Sequence, residues 1–373
     1  MHPLLVAHDI TKHFGAAIAL NAARFELASG EIHALVGENG AGKSTLARIL
    51  SGSLTADSGH VSFDGHRVSL GHPQNAQRLG IGIIHQELDL FPHLSVGENL
   101  IIGNLRFAEG LLVRPQATEE FCRPFLDQVG LTLSARRWVA ALSIAEQQLV
   151  AIARALSMNC RILLMDEPTS ALSADAADRL FAVMARLKSQ GVAIVYVSHK
   201  MDEIFHLCDR LTVLRDGQTI ATLATPETDR SEVIRLMVGR NVEFSSRKPV
   251  QASESVSLSV AHLTTHKLRD VSFDLHRGEV LGIAGLVGAG RSELGAALFG
   301  LDRIRQGTLH LNGKPFFPKR PALAMHAGMG LVPEDRRLQG LMLHMSVREN
   351  STLTVLPRLS RLGLVHGTQE SGL

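Results

Sequence analysis

The sequence is poor in cysteine, in aromatic residues and in net charge. Its three cysteines are odd in number, lie far apart and form no CxxC pair, so we expect reduced and mostly buried thiols. The net charge of +2 is too small for a nucleic-acid footprint, and no block of like charge stands out. We therefore expect no nucleic-acid partner.

Long apolar runs are also missing. No stretch approaches the ~18 to 20 uninterrupted apolar residues that a membrane span requires. The N-terminus has no lysine or arginine ahead of its short apolar run, which His8 and Asp9 interrupt. We expect neither a signal peptide nor a transmembrane segment, so that any role at a membrane comes through a partner.

What the sequence does contain is an internal repeat. Eight residue types recur at an offset of 248, among them Gly37 and Gly42 in Gly285 and Gly290. The register holds to residue 87 and slips to 251 by SVGEN at 95–99 and SVREN at 346–350. A period this long indicates tandem domains. We predict a complete domain over residues 1–240, a serine-rich linker over 241–257, and the N-terminal part of a second copy over 258–373.

Short apolar runs alternate with helical patterns in the first copy. Residues 31–36, 161–166 and 192–198 predict buried parallel strands. Helices are predicted after the first glycine-rich loop and over residues 177–191, where Gly191 closes the pattern. This alternation is typical of the α/β class, with a ligand at the carboxyl ends of the strands.

The glycine-rich string GENGAGKST has the GxxxxGK[ST] pattern of a phosphate-binding loop. Its glycines let backbone N–H groups surround a phosphate, Lys43 reaches the β- and γ-phosphates, and Ser44 coordinates Mg²⁺. The sequence therefore predicts that ATP and Mg²⁺ bind here. The residues expected to line this loop are Gly37, Glu38, Asn39, Gly40, Ala41, Gly42, Lys43, Ser44 and Thr45.

Acidic and polar residues follow the predicted strands. Asp166 comes directly after an apolar run and can hold the metal, and Glu167 can orient or deprotonate an attacking water. His199 ends the strand over 192–198, so we expect it in the same crevice as Lys43 and Glu167, in contact with the γ-phosphate. Gln86 follows another strand, and its amide is a candidate ligand of the metal or the water. Ser44, Gln86 and Asp166 are the predicted Mg²⁺ ligands.

The order of five motifs resembles an ABC-type ATPase: GENGAGKST, HQE at 85–87, LSIAEQQ at 142–148, LLMDEPTSAL at 163–172 and VSHK at 197–200. The tandem arrangement, the LSIAEQQ variant and Arg291 resemble more narrowly the double ATP-binding subunits of bacterial monosaccharide importers of the ribose, galactose and xylose type. The resemblance covers nearly the whole chain. It implies a P-loop NTPase fold with a RecA-like core, a β subdomain and a helical subdomain.

The resemblance also assigns roles. It implies that Phe14 stacks on adenine, that Gln86 lies in a loop facing the permease, and that Ser143 contacts a nucleotide bound by the opposing domain. The signature residues that it identifies are Leu142, Ser143, Ile144, Ala145, Glu146 and Gln147.

The implied partners are integral-membrane permease subunits and, through them, a periplasmic sugar-binding protein, at the cytoplasmic face of the inner membrane. A homodimer through the nucleotide-binding domains stays open. Two alternatives also stay open: a soluble ABC-type ATPase of the ribosome-binding or DNA-repair class, and a nonhydrolytic ATP-binding module.

Departures from the pattern fall on one composite site, because in such proteins two domains pair head to tail. Arg291 stands where lysine is expected, next to Gly285, Gly290 and Ser292, and a guanidinium does not replace a compact ammonium in a phosphate nest. Ile144 and Ala145 occupy positions where the usual signature has glycines. Glu334 replaces the loop glutamine. We expect this site to bind nucleotide without efficient turnover, and hydrolysis to belong to the site of Lys43 and Glu167.

By the repeat register, a second signature is expected near residue 393, and the second carboxylate strand and switch histidine later still. We therefore expect a polypeptide that stops before its second copy is complete, through a truncated or frameshifted gene or an imposed boundary. We expect it to bind Mg-ATP and to hydrolyse it slowly unless another chain supplies a signature.

Overall fold

The computed structural model describes residues 3–85, 88–102, 115–239, 253–285, 288–333, 339–361 and 364–365. It divides into two compact units, Met1–Phe244 (unit 1) and Ser245–Leu373 (unit 2). The predicted Mg²⁺ ligand Gln86 and the predicted second-site residue Glu334 lie outside the described residues.

Unit 1 is built on a six-stranded sheet and a four-stranded sheet. The strands are β1 Leu5–Phe14, β2 Ala17–Leu27, β3 Ile32–Val36, β4 Ser58–Phe63, β5 His66–Val68, β6 Ile81–Ile84, β7 Ile162–Asp166, β8 Ala193–Val197, β9 Arg210–Arg215 and β10 Gln218–Ala224. The larger sheet has the order β10-β9-β3-β8-β7-β6 and is parallel except for the β9–β10 hairpin. The smaller sheet, β2-β1-β4-β5, is antiparallel.

Helices cover both faces of the parallel sheet. They are α1 Lys43–Leu50, α2 Pro73–Arg78, α3 Val96–Ile101, α4 Pro115–Gln128, α5 Ile144–Ser157, α6 Ala174–Ser189, α7 Met201–Leu207 and α8 Arg230–Val238, with 3-10 turns at Val139–Ala141 and Thr225–Glu227. The helix predicted over 177–191 ends at Ser189, and Gly191 follows it with a φ of 88°. That left-handed conformation explains why glycine stops the helical pattern.

The parallel strands are buried on both faces, as their continuous apolar runs predict. Ala34, Ile194 and Tyr196 face one core cluster with α4, α5 and α6, whereas Leu35 and Val195 face the other, with α1 and the antiparallel sheet. The predicted strands at 31–36, 161–166 and 192–198 are confirmed, to within one residue at an end. Their carboxyl ends meet at one edge, next to the loop that precedes α1.

Unit 2 repeats many of the elements in the first part of unit 1. It contains β11 Val256–Thr264, β12 Val271–His276, α9 Arg291–Leu298, β13 Gln306–Leu311, β14 Lys314–Pro315, α10 Pro321–His326, α11 Val347–Thr352, a 3-10 turn Leu353–Val355, α12 Leu356–Leu359, β15 Ser360–Arg361 and β16 Leu364–Val365. The sheet β12-β11-β13-β14 has the topology of β2-β1-β4-β5. Helix α9 corresponds to α1 at the offset of 248.

The repeated SVxEN pentapeptide has a local physical cause. Ser95 and Glu98 form a reciprocal capping box at the start of α3, and Ser346 and Glu349 form the same box at α11. The asparagine that follows holds the preceding loop, because Asn99 Oδ1 accepts a 2.8 Å bond from a backbone N–H at residue 91. The equivalent bond in unit 2 is also 2.8 Å long.

The two units differ where the parallel sheet begins. Residues 280–284 and 329–332 of unit 2, the counterparts of β3 and β6, form no strands, and Val280 and Val332 are 95% and 94% exposed. In unit 1 the equivalent Ile32 and Ile84 are 1% and 4% exposed, because β7, β8 and β9 pair with their strands. The described residues of unit 2 contain no counterpart of those three strands.

One predicted boundary is corrected. The linker was predicted over 241–257, but β11 begins at Val256, so its last two residues belong to a strand. The alternation of Val256, Leu258 and Val260 is the period-2 signal of a half-buried strand. None of the helices in the described parts of the chain is both long and apolar enough to cross a membrane.

The three cysteines are free thiols, as predicted. Burial raises the pKa of Cys122 and of Cys160 to about 12, and it also raises the pKa of Cys208. Thiols with pKa values this high carry little thiolate at neutral pH and react slowly.

Candidate nucleotide site

The loop before α1 has a backbone that only glycine fits at two positions. Gly42 has a φ of 100° and precedes the first helical residue, and a Cβ there would lie 2.6 Å from the carbonyl oxygen of Ala19. A Cβ on Gly37 would lie 2.3 Å from the carbonyl oxygen of Leu214. The first turn of α1 contains no acidic residue, so its positive end remains available to an anion.

Lys43 lies inside this loop. Its side chain is largely buried, and Nζ donates hydrogen bonds to the carbonyl oxygens of Gly37 at 2.8 Å and Glu38 at 2.9 Å. Burial lowers the pKa of Lys43, and the negative charges of Glu167 and Asp166 oppose that effect. The ammonium group is therefore held between the loop carbonyls and the two carboxylates.

Asp166 ends β7 and meets the first turn of α1. The Ser44 hydroxyl lies beside its carboxylate. Burial raises the pKa of Asp166; the Ser44 hydroxyl opposes this shift, and the charge of Glu167 adds to it. A half-buried carboxylate next to a hydroxyl, with a second negative charge beside it, is an oxygen-ligand environment that a divalent cation would stabilise.

Glu167 has a left-handed backbone with a φ of 49°, which is unusual for a residue with a side chain. Its N–H donates to the carbonyl oxygen of Val197 at 2.9 Å, which ties the end of β7 to the end of β8. His199, two residues beyond Val197, brings Nδ1 to 3.0 Å from Glu167 Oε1. The strained backbone thus directs the carboxylate towards the imidazole.

The structure therefore brings together Lys43, Ser44, Asp166, Glu167 and His199. The group offers a helix N-terminus and an ammonium for phosphate oxygens, together with a hydroxyl and a carboxylate that fit Mg²⁺. A second carboxylate and an imidazole lie beside them. This is a suitable arrangement for hydrolysis of a nucleoside triphosphate.

Phe14 and the signature residues Ser143 and Ile144 lie on other elements of unit 1 than Lys43, Asp166 and Glu167. Phe14 ends β1, is 51% exposed, and has Lys12 Nζ 5.8 Å from its ring centroid. Ser143 caps α5 through a reciprocal capping box with Glu146, and both Ser143 and Ile144 are exposed. Among the described residues, Ser143 and Glu146 hydrogen-bond to each other and to their own helix, and not to the phosphate loop of their own unit.

The loop before α9 ends in the same backbone conformation as the loop before α1, but the helix that follows it carries a different charge. Gly290 has a φ of 96° and precedes α9, whose first residues are Arg291 and Ser292. Glu293 lies in the first turn, where unit 1 has Thr45, and its Oε1 is 2.7 Å from Lys267 Nζ. A carboxylate of the protein is thus present where a phosphate would meet the helix, a feature that the sequence interpretation missed although the repeat aligns the two positions.

Unit 2 also lacks a counterpart of Phe14. Ten residues separate Asp9 from Leu20 in unit 1, but only five separate the equivalent His262 from Leu268. The shorter connection omits the turn that carries the exposed aromatic ring. Comparing the spacing of the two copies would have revealed this difference from the sequence alone.

A cavity of about 270 Å³ lies elsewhere in unit 1, between β6 and the end of α5. Asp89, Ile102 and Arg154 contribute to its wall, and Arg154 Nη1 donates to the Asp89 carbonyl oxygen. The cavity is adjacent to the segment that follows residues 86 and 87.

Comparison with known proteins agrees with this geometry. The family model described as "ABC transporter" matches residues 20–170 and 268–371. The ribose import ATP-binding protein RbsA of Geobacillus kaustophilus is 43% identical over 366 residues, which cover 97% of this chain and 74% of that protein. The RbsA protein of Chromobacterium violaceum is 46% identical over 363 residues, covering 97% and 72%.

Among solved structures, the chain is similar to the ADP conformation of MJ1267, an ATP-binding cassette of an ABC transporter. That match has a TM-score of 0.57 and 26% identity, and it covers 64% of this chain and 100% of the other. Matches to one family in both halves, together with a P-loop α/β fold, identify the sequence. The chain belongs to the ABC transporter family of ATP-binding proteins, is an ABC-type ATPase, and carries the family's sequence in two tandem copies.

Proposed function

We propose that this protein is the ATP-hydrolysing subunit of an ABC importer for monosaccharides of the ribose, galactose and xylose class. The observation that carries the proposal is the convergence of Lys43, Ser44, Asp166, Glu167 and His199 at one sheet edge. The names of the relatives, which are ribose import ATP-binding proteins, support the substrate class.

The proposed roles rest on the contacts of Lys43, Asp166 and Glu167 and, for Phe14 and Gln86, on the resemblance to ABC-type ATPases. Lys43 leaves the loop carbonyls to bind the β- and γ-phosphates, and Phe14 stacks on adenine. Ser44, Asp166 and Gln86 would hold Mg²⁺, which supplies charge neutralisation to the phosphates when it is bound. The oxygen of a water attacks the γ-phosphorus, the bond to the β–γ bridging oxygen breaks, and Glu167 Oε1 takes the proton of the water. His199 contacts the γ-phosphate.

We propose a complete nucleotide-binding domain over residues 1–240, as the sequence predicts, and part of a second copy that begins with β11 at Val256. The second phosphate loop binds nucleotide weakly and without efficient turnover. Arg291 replaces the lysine, and Glu293 adds a negative charge at the helix N-terminus. Ile144 and Ala145 belong to the signature that would face this second loop. Their side chains would keep that signature from a close approach to the nucleotide.

The polypeptide of residues 1–373 should turn over ATP slowly by itself. A signature string of the LSIAEQQ type occurs once in it, at 142–148, and the site of Lys43 requires a signature from an opposing domain. Pairing of two chains through their nucleotide-binding domains, or addition of a domain that carries a signature, would raise the rate.

Coupling to transport requires a permease at the cytoplasmic face of the membrane, and through it a periplasmic sugar-binding protein. We propose that the permease docks at the cavity between β6 and the end of α5, since it is lined partly by apolar side chains and by Asp89, which is close in sequence to Gln86. Ile102 is partly exposed at its wall, so an Ile102→Glu substitution should weaken copurification with the membrane permease while ATP binding is retained.

Calorimetry and phosphate release test the core of the proposal. The wild-type chain should bind ATP in the presence of Mg²⁺, Lys43→Ala should lose most of that affinity, and Glu167→Gln should bind ATP without hydrolysing it. Hydrolysis by Glu167→Gln at the wild-type rate would contradict the assigned chemistry. Uptake of labelled ribose, galactose and xylose in cells that depend on this subunit would test the substrate class.

A further inference from the structure

A buried carboxylate outside the nucleotide site connects the two segments that carry Glu167 and His199. Glu203 lies on α7, and only 11% of its side chain is exposed. Its Oε1 accepts from the Thr169 hydroxyl at 2.8 Å, and its Oε2 accepts from the Tyr196 hydroxyl at 2.6 Å. The Ser198 hydroxyl is 3.3 Å from Oε2. One side chain thus reaches β8, the residue before His199 and the segment after Glu167.

Lys200 completes this cluster. Its Nζ lies 3.0 Å from Glu203 Oε1 and donates to the carbonyl oxygen of Thr169 at 3.2 Å. Its backbone N–H donates to the Ser198 hydroxyl at 3.1 Å. The donors from Tyr196 and Thr169, with the charge of Lys200, outweigh burial, so the pKa of Glu203 lies below its usual value and the group is a carboxylate at neutral pH.

The hydrogen bonds of Glu203 adjoin the segment of Glu167, whose backbone is strained. Glu167 has a φ of 49° and is followed by Pro168, which restricts the residue before it further. Such a conformation persists only where the surrounding structure enforces it. On one side Glu167 N–H is bonded to Val197, and on the other Thr169 is bonded to Glu203. We propose that Glu203 is a positioning residue, which holds Glu167 and His199 in register through Thr169 and Ser198.

This inference rests on the proposed function, because it assumes that Glu167 and His199 act on the γ-phosphate. Within the described part of the chain, the side chains of the clamp residues Glu203, Thr169, Tyr196 and Ser198 hydrogen-bond to one another and to Lys200, and not to the phosphate loop. Loss of the clamp should therefore lower kcat for ATP and leave KM nearly unchanged. A misplacement of about 1 Å can cost up to ~100-fold in rate, so we expect at least a tenfold loss.

Paired substitutions at Thr169 give the sharpest test. Valine has the shape of threonine without the hydroxyl, whereas serine keeps the hydroxyl, so Thr169→Val should lose about tenfold in kcat and Thr169→Ser should stay near the wild-type rate. Glu203→Gln should behave like Thr169→Val, since it keeps the length of the side chain but removes the charge. Phosphate release is measured at saturating Mg-ATP with long time courses, and the Lys43→Ala chain supplies the background.

Asp202 provides the matched control. It precedes Glu203 on the same helix, is mostly exposed, and pairs with Arg230 at the surface, so Asp202→Asn should leave kcat unchanged. Unchanged ATP affinity and circular dichroism in the clamp variants would separate positioning from unfolding. If Thr169→Val and Glu203→Gln keep kcat within about twofold, or if Thr169→Ser falls as far as Thr169→Val, the inference is overturned. Full activity of Glu167→Gln would instead overturn the proposed function.

Discussion

The left-handed backbone conformation of Glu167 allows us to predict how glycine and alanine at this position change the free energy of unfolding. A residue with a Cβ costs about 1–2 kcal/mol in this conformation, whereas glycine adopts it freely but loses more chain entropy on folding, by about 0.5–1 kcal/mol. Glu167→Gly and Glu167→Ala both remove the carboxylate, its contact with His199 and its repulsion of Asp166. Their difference therefore isolates the backbone, and the glycine variant should be more stable by about 1 kcal/mol.

Urea unfolding can measure this difference. Trp138 is the only tryptophan and lies in unit 1, so its emission follows the unit that contains Glu167. With an m-value of about 2–3 kcal/mol/M for a unit of this size, the midpoint should rise by about 0.4 M from the alanine to the glycine variant. Phosphate release should be lost in both variants, since neither retains the group that accepts the proton.

The same pair of substitutions at a helical position supplies a control of opposite sign. Glu120 is exposed within α4, where alanine should be more stable than glycine by about 1 kcal/mol. Equal midpoints for Glu167→Gly and Glu167→Ala, or a more stable alanine variant, would refute the interpretation of this backbone as strained.

Three further predictions concern the loops and the core. Gly42→Ala should abolish ATP binding, and it should destabilise unit 1 clearly more than Gly65→Ala does. Both glycines have a positive φ, but a Cβ at Gly42 meets a backbone oxygen at 2.6 Å whereas a Cβ at Gly65 meets nothing within 4 Å. Similar unfolding midpoints for the two variants would contradict this. Burial lowers the pKa of His33 below 6.5, so the unfolded chain binds more protons and the free energy of unfolding should fall as the pH drops below about 6.5. In unfolding series from about pH 7.5 to 5.5, His33→Gln should reduce this dependence on pH. An unchanged dependence would exclude His33 as its source. In a Lys43→Ala background, Glu293→Thr should tighten residual ATP binding severalfold in calorimetry, and unchanged or weaker binding would show that Glu293 does not obstruct the second loop.

Local patterns were sufficient to predict the strands and that Asp166 and His199 lie at strand ends. The strands within the runs at 31–36, 161–166 and 192–198 are mostly apolar because both faces of a parallel strand are buried. Asp166 ends the second of those runs and His199 directly follows the third, and neighbouring parallel strands bring their carboxyl ends to one edge. The repeat register then predicts α9 and β13 from α1 and β4.

Contacts between distant segments could not be predicted in the same way. Thr169 and Glu203 are 34 residues apart, and Lys267 and Glu293 are 26 apart, so neither pair belongs to a periodic pattern. Residues 280–284 illustrate a second limit. Their sequence is apolar like that of β3, but a strand requires a hydrogen-bonded neighbour, and the described residues of unit 2 supply none there.

The N-termini of α1 and α9 correspond in the repeat but differ in the charge of their first turn. In α1 the first turn carries no acidic residue, and the buried ammonium of Lys43 lies in the loop, so the positive end of the helix is available to phosphate. In α9 the same turn carries Glu293, which stabilises the helix itself and is neutralised by Lys267. A carboxylate that stabilises the helix also competes with a phosphate for the same N–H groups. A difference in phosphate binding between the two loops is therefore expected from the loops alone, before any difference in signatures is considered.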